Sequence, residues 1–416
     1  MDRETVDLVE FFDFHRAKFR KNGRFYLSDV AALYLHVPFC AKVCPYCGFA
    51  TTPLPSGKTS GRLVRRWLRG VELDAKAAAE GPLGEVPWGK TAFSTLYFGG
   101  GTPSILDGES LGEAVRLLRS SFRLEPVEAT IEANPESLDA EKCRLWKELG
   151  FTRLSLGVQS LDDAVLRAAG RNHDRAGALR ALETALGSGL SVTADLMFAL
   201  PGQSEGSFLS SLREILETGV PHISFYGLGI EERTPFAQRA ARGEIGIDEE
   251  LYAGCYARGA ELCARRGLER YELSNFAKPG FESRHNSAYW SGAPYLGLGP
   301  GAHGYDGANL RYANHRFLSR WADGLERGEP AREFDPLGPR ERLEERLWLG
   351  LRLAEGADLA ALRSFDADGA FFSGLDARLE PWLARGAVRR DGDRLRLRDS
   401  GWLLLDEIAA ALFPES

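Results

Sequence analysis

Three cysteines lie close together near the start of the chain, at Cys40, Cys44 and Cys47. They follow an apolar run directly, and their spacing lets three thiolates on one short loop point at a common centre. A four-iron cluster takes four ligands, so three cysteines would leave one iron open to a small molecule. Zinc is an alternative that needs a fourth ligand, for which His36 is the nearest candidate, although it lies inside a predicted strand. A group of thiols without any metal is the third interpretation.

The remaining cysteines, Cys143, Cys255 and Cys263, are scattered along the chain. Cys143 lies on the apolar face of a predicted helix, and Cys255 and Cys263 are too far apart in sequence to suggest a ligand pair. We expect these three thiols to pack in the core. In a reducing compartment, the tight group at 40–47 favours a metal or catalytic site over disulfide bonds.

Composition places the chain among folded globular proteins. It has 416 residues, of which 44% are hydrophobic and 27% charged, and a net charge of −7. The mild acidity argues against a protein that coats nucleic acid. The sequence has no long uninterrupted apolar run and carries acids within its first ten residues, so neither a membrane segment nor a signal peptide is predicted. These features predict a soluble, cytoplasmic protein.

Six short apolar runs alternate with stretches of helical period, which predicts a series of βα units. The predicted strands cover residues 33–37, 94–98, 128–132, 153–158, 192–198 and 222–226. Glycines that can end the helices in a left-handed conformation follow at Gly150, Gly170, Gly187 or Gly189, and Gly219. Ser110 and Glu113 have the spacing of a capping box at one helix start.

Polar residues and glycines follow the ends of these predicted strands. The cysteine loop follows the first, 99–102 the second and Glu132 the third, and Asp195 lies within the fifth. A series of βα units forms either an open doubly wound sheet or a barrel, and in barrels the carboxyl ends of the strands build the active site. Convergence of chemical groups from all six strands favours an α/β fold of the partial (β/α)6, TIM-like type.

The repetition fades towards the end of the chain, which suggests further units. We predict an N-terminal extension (1–32), the partial barrel (33–240), a barrel-closing and linker region (241–330), and a helical and wing domain (331–416). In the last unit, Leu343, Leu347 and Leu351 have helical spacing, and an Asp391-Gly392 turn between alternating apolar positions predicts a hairpin. This unit would be winged-helix-like.

Several motifs resemble the radical S-adenosylmethionine (SAM) superfamily, in its coproporphyrinogen dehydrogenase-like branch. They occupy residues 34–47, 97–104, 132–136, 157–160 and 195–202, in the same order as in that branch. Together they span roughly residues 33–305, which is well over half of the chain. The resemblance implies the partial barrel of that superfamily.

The resemblance also implies cofactors. Cys40, Cys44 and Cys47 would hold a [4Fe-4S] cluster, and SAM would bind its open iron. Glycines at 99–101 would let the backbone approach SAM, and Glu132 would accept hydrogen bonds from its ammonium or ribose groups. The positions that match SAM-contacting residues of the family are Tyr34, Tyr46, Gly100, Gly101, Thr102, Glu132, Gln159, Arg171 and Asp195.

Two features distinguish the sub-branch. The porphyrinogen-decarboxylating members carry another cysteine where this chain has Phe49, and residues 285–290 are similar to the His-Asn-x-x-Tyr-Trp signature of the HemW haem chaperones. His285 is a candidate iron ligand, and Tyr289 and Trp290 could line a porphyrin face. Alternatively, Trp290 closes the barrel end and His285 satisfies a backbone group. His303 is another possible ligand or a group near SAM.

The resemblance therefore favours a HemW-like protein that binds haem as cargo and delivers it to an acceptor protein. An electron donor such as flavodoxin or ferredoxin would serve the cluster, and no nucleic acid is expected as a partner. The main alternative is a radical SAM methyltransferase or a tetrapyrrole-modifying enzyme, similar to coproporphyrinogen III oxidase. A zinc-stabilised binding module is the weaker alternative. Since a chaperone and an enzyme both fit the motifs, the sequence leaves open whether the protein is an enzyme.

Overall fold

The computed structural model describes residues 31–55, 58–81 and 83–413. The predicted N-terminal extension lies outside the described residues, except for its last two positions, which belong to the first strand. The strands are β1 (Ala31–Val37), β2 (Phe39–Cys40), β3 (Thr52–Pro53), β4 (Ala92–Gly100), β5 (Arg123–Ala133), β6 (Arg153–Gln159), β7 (Ser191–Phe198), β8 (His222–Gly227), β9 (Glu269–Arg270), β10 (Asn275–Ala277), β11 (Tyr295–Leu298), β12 (His303–Tyr305), β13 (Leu310–Asn314), β14 (Arg332–Pro336), β15 (Ala357–Asp358), β16 (Val388–Asp391) and β17 (Arg394–Leu397).

Helices follow most of the central strands. They are α1 (Lys58–Glu80), α2 (Gly108–Ser121), α3 (Ala140–Glu148), α4 (Asp163–Ala168), α5 (Arg175–Gly187), α6 (Glu205–Glu217), α7 (Pro235–Ala241), α8 (Glu249–Arg265), α9 (Arg284–Trp290), α10 (Leu318–Arg327), α11 (Pro339–Arg352), α12 (Leu359–Leu362), α13 (Leu375–Ala384) and α14 (Leu405–Ala411). Across the described part of the chain, none of them is both long and apolar enough to cross a bilayer.

The central strands form the predicted partial barrel. Strands β1, β4, β5, β6, β7 and β8 are neighbours in this order and all run parallel, and each contains one of the six predicted strands. The barrel does not close, because β11 pairs with the outer edge of β1 and β10 with the outer edge of β8. The prediction of six βα units in a partial (β/α)6 barrel is confirmed.

The two faces of β1 show how the barrel is held. Leu33, Leu35 and Val37 alternate along the strand and are fully buried in the same apolar core as Trp67 of α1. The indole Nε1 of Trp67 also donates a hydrogen bond to the carbonyl of His36 at 3.0 Å. Because side chains alternate across a strand, Tyr34 and His36 point to the opposite face, towards the second of the two cavities described below.

The ends of the helices follow the predictions with one correction. Positive φ angles occur at Gly150, Gly170, Gly189 and Gly219, so Gly189 and not Gly187 is the left-handed residue just past the end of α5. The predicted capping box at Ser110 is wrong. The helix begins earlier, and Asp107 is its N-cap, because the Asp107 carboxylate accepts a hydrogen bond from the backbone N–H of Ser110 at 2.7 Å.

The segment after the barrel contributes to the same sheet. Strands β9 and β10 extend it beyond β8, and β11 to β14 extend it beyond β1, which gives twelve strands in total. The region predicted to close the barrel and act as a linker therefore contains sheet strands, and the division into domains stays a prediction. Cys143, Cys255 and Cys263 are buried free thiols in the core, as expected.

The last unit contains the predicted hairpin. Strands β16 and β17 pair antiparallel, and β15 joins them in a three-stranded sheet. Leu343, Leu347 and Leu351 are buried on α11, as their spacing predicts. The arginines of the hairpin lie next to carboxylates, in the ion pairs Arg389–Asp391, Arg390–Asp376, Arg394–Asp358 and Arg396–Asp391. Its basic charge is thus balanced locally.

Candidate functional site

The three clustered cysteines lie on the loop that follows β2. Cys40 ends that strand, and the loop turns tightly, with the backbone N–H of Cys47 donating to the carbonyl of Cys44 at 3.1 Å. All three thiols are free of disulfide bonds. The hydroxyl of Thr102 lies 3.7 Å from the Cys40 sulfur, and Arg171 Nη1 lies 3.6 Å from the Cys44 sulfur. Hydrogen-bond donors from the loop after β4 and from the connection between α4 and α5 thus face these sulfurs.

Burial keeps two of these thiols protonated in the iron-free chain. It raises the pKa of Cys40 to about 11, an effect that the Thr102 hydrogen bond opposes and the neighbouring cysteines strengthen. Burial likewise raises the pKa of Cys47. Thiolates are the metal-binding form, so metal binding at this loop has to release protons.

A single-ion zinc site does not form here. Within the described ranges, no three or more His, Cys, Asp and Glu side chains surround a common point closely enough to hold a metal ion. His36 is also engaged, because its Nε2 donates to the carbonyl of Ala50 at 2.8 Å and its Nδ1 accepts from the hydroxyl of Tyr34 at 3.0 Å. Burial lowers the pKa of His36 to about 4. His36 is therefore not free to serve as the fourth ligand that a closed zinc site needs.

A cavity of about 520 Å³ opens from the cysteine loop into the barrel. Its inner wall follows the alternation of the strands, so residues two apart on one strand share it. These wall residues are Thr130 and Glu132 on β5, Arg153, Ser155, Gly157 and Gln159 on β6, Thr193, Asp195 and Met197 on β7, and His222, Ser224 and Tyr226 on β8. The carboxyl ends of the parallel strands and the cysteine loop therefore build one site.

Eight of the nine residues predicted to contact SAM line this cavity. They are Tyr46, Gly100, Gly101, Thr102, Glu132, Gln159, Arg171 and Asp195. Tyr34 does not line it, and instead lies on a neighbouring cavity, with its ring stacked near that of Tyr97 at 6.0 Å. Gln159 has a positive φ of 65° at an irregularity in the β6–β7 pairing, which is a strained position of the kind found at functional sites.

The glycines at the end of β4 are required by the protein itself. A Cβ on Gly100 would lie 2.3 Å from a ring atom of His36, and one on Gly101 would lie 2.6 Å from the carbonyl oxygen of Phe39. Gly100 also has a φ of 109°. Close packing against β1 and the residues that follow it therefore excludes side chains at Gly100 and Gly101, whether or not a ligand lies on the cavity side of this backbone.

Two carboxyl groups lie on neighbouring walls inside the barrel. Glu132 accepts hydrogen bonds from the hydroxyl of Tyr97 at 2.7 Å and from the backbone N–H of Gly100 at 2.9 Å. Burial raises the pKa of Glu132, against these two hydrogen bonds. Burial also raises the pKa of Asp195 to about 7, opposed by a hydrogen bond from Ser155 and strengthened by the charge of Glu132. Near neutral pH, the barrel thus holds a carboxyl group that is poised to gain or lose a proton.

Buried polar atoms without partners line the same cavity. They are Thr130 Oγ1, Arg171 Nε and His222 Nδ1, which make no hydrogen bond to the described residues. A buried donor or acceptor without a partner is costly, so these atoms favour a polar ligand in the cavity. Three free thiols beside this polar wall fit a cluster at the loop and a polar small molecule next to it.

The second cavity, of about 1160 Å³, lies beside the first and over β1 and β11–β14. Gly48 and Phe49 of the cysteine loop line both cavities. Tyr289 and Trp290, the aromatic residues of the 285–290 motif, line the second cavity together with His303. The loop that carries the thiols is thus the wall between the two cavities.

His285 lies in the interior and lines neither cavity. It is fully buried, and its Nδ1 lies 2.9 Å from the hydroxyl of Thr95 and its Nε2 2.7 Å from the hydroxyl of Tyr289. Its ring stacks on that of Tyr97 at 4.9 Å, and burial lowers its pKa to about 3. The geometry does not support His285 as an iron ligand, because both ring nitrogens are occupied. His285 is therefore engaged in the interior, but its partners are the side-chain hydroxyls of Thr95 and Tyr289 and not the backbone group that the alternative expected.

The cavity walls include residues that the motifs did not indicate. Arg153, Thr193, His222 and Ser224 all line the barrel cavity. A signal for them was present in the sequence, since polar residues alternate with apolar ones along 153–159, 191–198 and 222–227. Such alternation in a central parallel strand, which is usually apolar throughout, marks a polar face directed into the barrel.

Two family models match the chain. The model of the radical SAM superfamily matches residues 34–215, and the model of the HemN C-terminal domain matches residues 337–404. The solved structure of coproporphyrinogen III oxidase (HemN) from Escherichia coli, described as a radical SAM enzyme, has the same fold. It covers 93% of this chain and 91% of its own, with a TM-score of 0.77 at 23% identity. Fold and site thus define a radical SAM protein with a HemN-type C-terminal domain.

Proteins with similar sequences show to which family of radical SAM proteins the chain belongs. The protein named heme chaperone HemW of Mycobacterium tuberculosis (strain CDC 1551 / Oshkosh) is 36% identical over 385 residues, which is 91% of this chain and 94% of that protein. The protein of the same name from Bacillus subtilis (strain 168) is 33% identical over 92% of this chain and 99% of its own length. The chain belongs to the HemW family, and the resemblance drawn from its motifs is confirmed.

Proposed function

We propose that the protein is a HemW-like haem chaperone that binds a [4Fe-4S] cluster, SAM and haem, and delivers haem to an acceptor protein. The observation that carries this proposal is the loop of three free thiols that separates two cavities. The barrel cavity is lined by eight of the positions that match SAM-contacting residues, and the other cavity is larger and is lined by aromatic residues and arginines. Relatives named heme chaperones support haem as the cargo.

Cys40, Cys44 and Cys47 would hold the cluster, which supplies single electrons to SAM at its open iron. The chain's own residues then have defined tasks. Arg171 and Thr102 donate hydrogen bonds towards two of the sulfurs and so orient them. Glu132 can accept a hydrogen bond from a ligand ammonium or hydroxyl, since its carboxylate reaches the cavity and keeps free lone pairs.

Haem delivery requires partners. An acceptor protein would receive the haem, and a flavodoxin or ferredoxin would reduce the cluster. The phenyl ring of Phe49 is 69% exposed on the thiol loop, so apolar surface is available for such contacts. The cytoplasm, as a reducing compartment, would keep the six cysteines free.

The test begins with iron on anaerobically reconstituted protein. Each of Cys40→Ser, Cys44→Ser and Cys47→Ser should lose the iron–sulfur absorbance, whereas Cys143→Ser, a matched change at a buried core thiol, should keep it. Wild-type protein should then bind haem on titration and pass it to an apo-haem protein. Absence of haem uptake in every cluster state would refute the chaperone function, while the iron result would still stand.

One observation favours a second candidate, a SAM-dependent methyltransferase or tetrapyrrole-modifying enzyme. The barrel cavity continues past the predicted SAM residues to a polar wall that includes Arg153, Thr193 and His222. Such a wall could hold a substrate next to SAM. Accumulation of 5′-deoxyadenosine or S-adenosylhomocysteine with an added porphyrin would support this activity. Haem transfer without either product would support the chaperone.

A further inference from the structure

The second cavity has room and walls for a large flat ligand. Its volume of about 1160 Å³ is more than twice that of the barrel cavity. Aromatic residues come from several directions, and they are Tyr34 on β1, Tyr289 and Trp290 on α9, Tyr295 on β11, Trp348 on α11, and Phe317 next to α10. The side chain of Phe317 is 70% exposed, so one apolar wall is left uncovered. Broad aromatic faces suit the stacking of a planar macrocycle.

One imidazole in this cavity is available as an iron ligand. His303, at the start of β12, is exposed, and neither of its ring nitrogens is hydrogen-bonded to another described residue. The other histidines of the cavity are engaged, His36 as described above, and His315 with the carbonyl of Pro330 at 3.1 Å and with Glu333 at 3.8 Å.

The charge of the cavity suits a dianion. It is lined by three exposed arginines, Arg233, Arg316 and Arg320. In the part of the chain that the structure describes, none of them forms an ion pair with a carboxylate. The remaining charged groups are Arg311, which pairs with Glu345, and Glu333 beside His315. Four arginines against two glutamates leave a net charge of +2, equal and opposite to the charge of two propionates. Guanidinium groups bind carboxylates in bidentate fashion.

The cavity is coupled to the thiol loop by direct contacts. Arg316 donates from Nη2 to the carbonyl of Gly48 at 2.6 Å, and Gly48 follows Cys47. Phe49 then lines both cavities. A ligand in the second cavity would thus touch the loop that is proposed to hold the cluster.

From this geometry we propose that the second cavity is the haem site, with His303 as the axial iron ligand and Arg316, Arg320 and Arg233 as the partners of the propionates. This inference rests on the proposed chaperone function and assigns its cargo to specific residues. Tyr289 and Trp290 form a wall of the site, whereas His285 supports that wall from the interior through its hydrogen bond to Tyr289.

The ligand assignment is tested by haem titration of the full, anaerobically reconstituted chain. His303→Ala should lose the absorption and magnetic resonance signature of histidine-ligated haem that wild-type protein shows. The matched control His315→Ala, in the same cavity, should keep it. In His303→Gly, added imidazole should restore the signature, which a merely structural role would not allow. Equal circular dichroism and iron content in all variants show that the fold is intact.

The propionate assignment is tested by charge reversal. Arg320→Glu should weaken haem binding about tenfold, by the loss of a charge-assisted contact and the gain of repulsion. The same variant should bind the dimethyl ester of haem as wild type does. Arg265→Glu, which changes an exposed arginine paired with Glu261 on α8, is the control and should leave haem affinity unchanged.

The outcomes separate the two proposals. Absence of haem binding by wild-type protein would refute the chaperone function and this site with it. Haem binding with an unchanged ligand signature in His303→Ala would refute only the site assignment, and so would loss of the signature in His315→Ala. Loss in His303→Ala with rescue by imidazole in His303→Gly would support both.

Discussion

Arg171 and Cys44 are joined by a hydrogen bond from Nη1 of the guanidinium to the thiol sulfur, at 3.6 Å. The same guanidinium donates from Nη2 to Asn134 Oδ1 at 2.7 Å, and Asn134 donates to the Thr102 hydroxyl at 3.2 Å. That hydroxyl lies 3.7 Å from the sulfur of Cys40. Two cysteines four positions apart are therefore linked through residues that follow β4 and β5 and a residue between α4 and α5, so the barrel itself sets their positions.

Arg171→Met should reduce the iron content of reconstituted protein and destabilise the fold. The change removes the donor to Cys44 and leaves Asn134 Oδ1 and the carbonyl of Gly157 without that partner, at a cost of about 1–3 kcal/mol each. Iron per chain and the urea midpoint measure the two effects. Arg167→Met, an exposed position on the preceding helix, is the control and should match wild type. Equal iron content in both variants would contradict a positioning role for Arg171.

Gly100→Ala should destabilise the protein strongly. The substitution adds left-handed strain of roughly 1–2 kcal/mol and a Cβ that would lie 2.3 Å from the His36 ring, so β4 or the ring must move. Gly386→Ala isolates the strain, since Gly386 has a φ of 69° but a Cβ on it would meet no other atom within 4 Å. Thermal melting should show a clearly larger loss for Gly100→Ala. Equal losses would mean that the contact with His36 costs nothing.

Asp195 should make stability depend on pH in an unusual direction. Its pKa in the folded chain is about 7, against about 3.9 for an unfolded aspartate. Between these values the folded state still holds the proton that the unfolded state has lost, so stability falls as pH rises from about 4 to about 7. Asp195→Asn should lack this contribution. As the pH rises from about 4 to about 7, the melting temperature of iron-free wild type should therefore fall relative to that of Asp195→Asn. Parallel plots of melting temperature against pH for the two proteins would contradict the raised pKa.

His285→Ala should act on the fold more than on haem. Removing the imidazole leaves the hydroxyls of Thr95 and Tyr289 without their partner, at roughly 1–3 kcal/mol each, and opens a cavity beside Tyr97. Urea unfolding should show this loss, while the histidine-ligated haem signature persists. Loss of that signature at unchanged stability would instead identify His285 as the ligand.

Much of the fold was predictable from local patterns. The six central strands lie where the short apolar runs predicted them, because at least one face of each strand packs in the apolar core and each helix that follows needs a glycine or a capping side chain to end. The capping error at Ser110 has a local cause. Asp107 is an equally good N-cap three residues earlier, and spacing alone does not distinguish the two.

The candidate site was predictable in part. The thiol loop and most of the polar cavity residues are close in sequence to strand ends, so a barrel brings them together whatever its details. The positions of the His285 and Tyr34 side chains were harder to predict. Whether a side chain faces a cavity or the interior depends on which strand pairs beside it, and β11 packs against β1 although the two strands are far apart in the chain.

The sequence by itself determined the three-thiol loop, the βα series and the family motifs, because each depends on residue types a few positions apart. The tertiary structure decided which of the motif residues can meet a ligand. His285 lies in the interior because its ring packs beside β4, where Thr95 is its hydrogen-bond partner. His303 is an open imidazole because β12 places its ring in the second cavity. Long-range pairing of this kind depends on the packing of the whole sheet and leaves no local pattern to read.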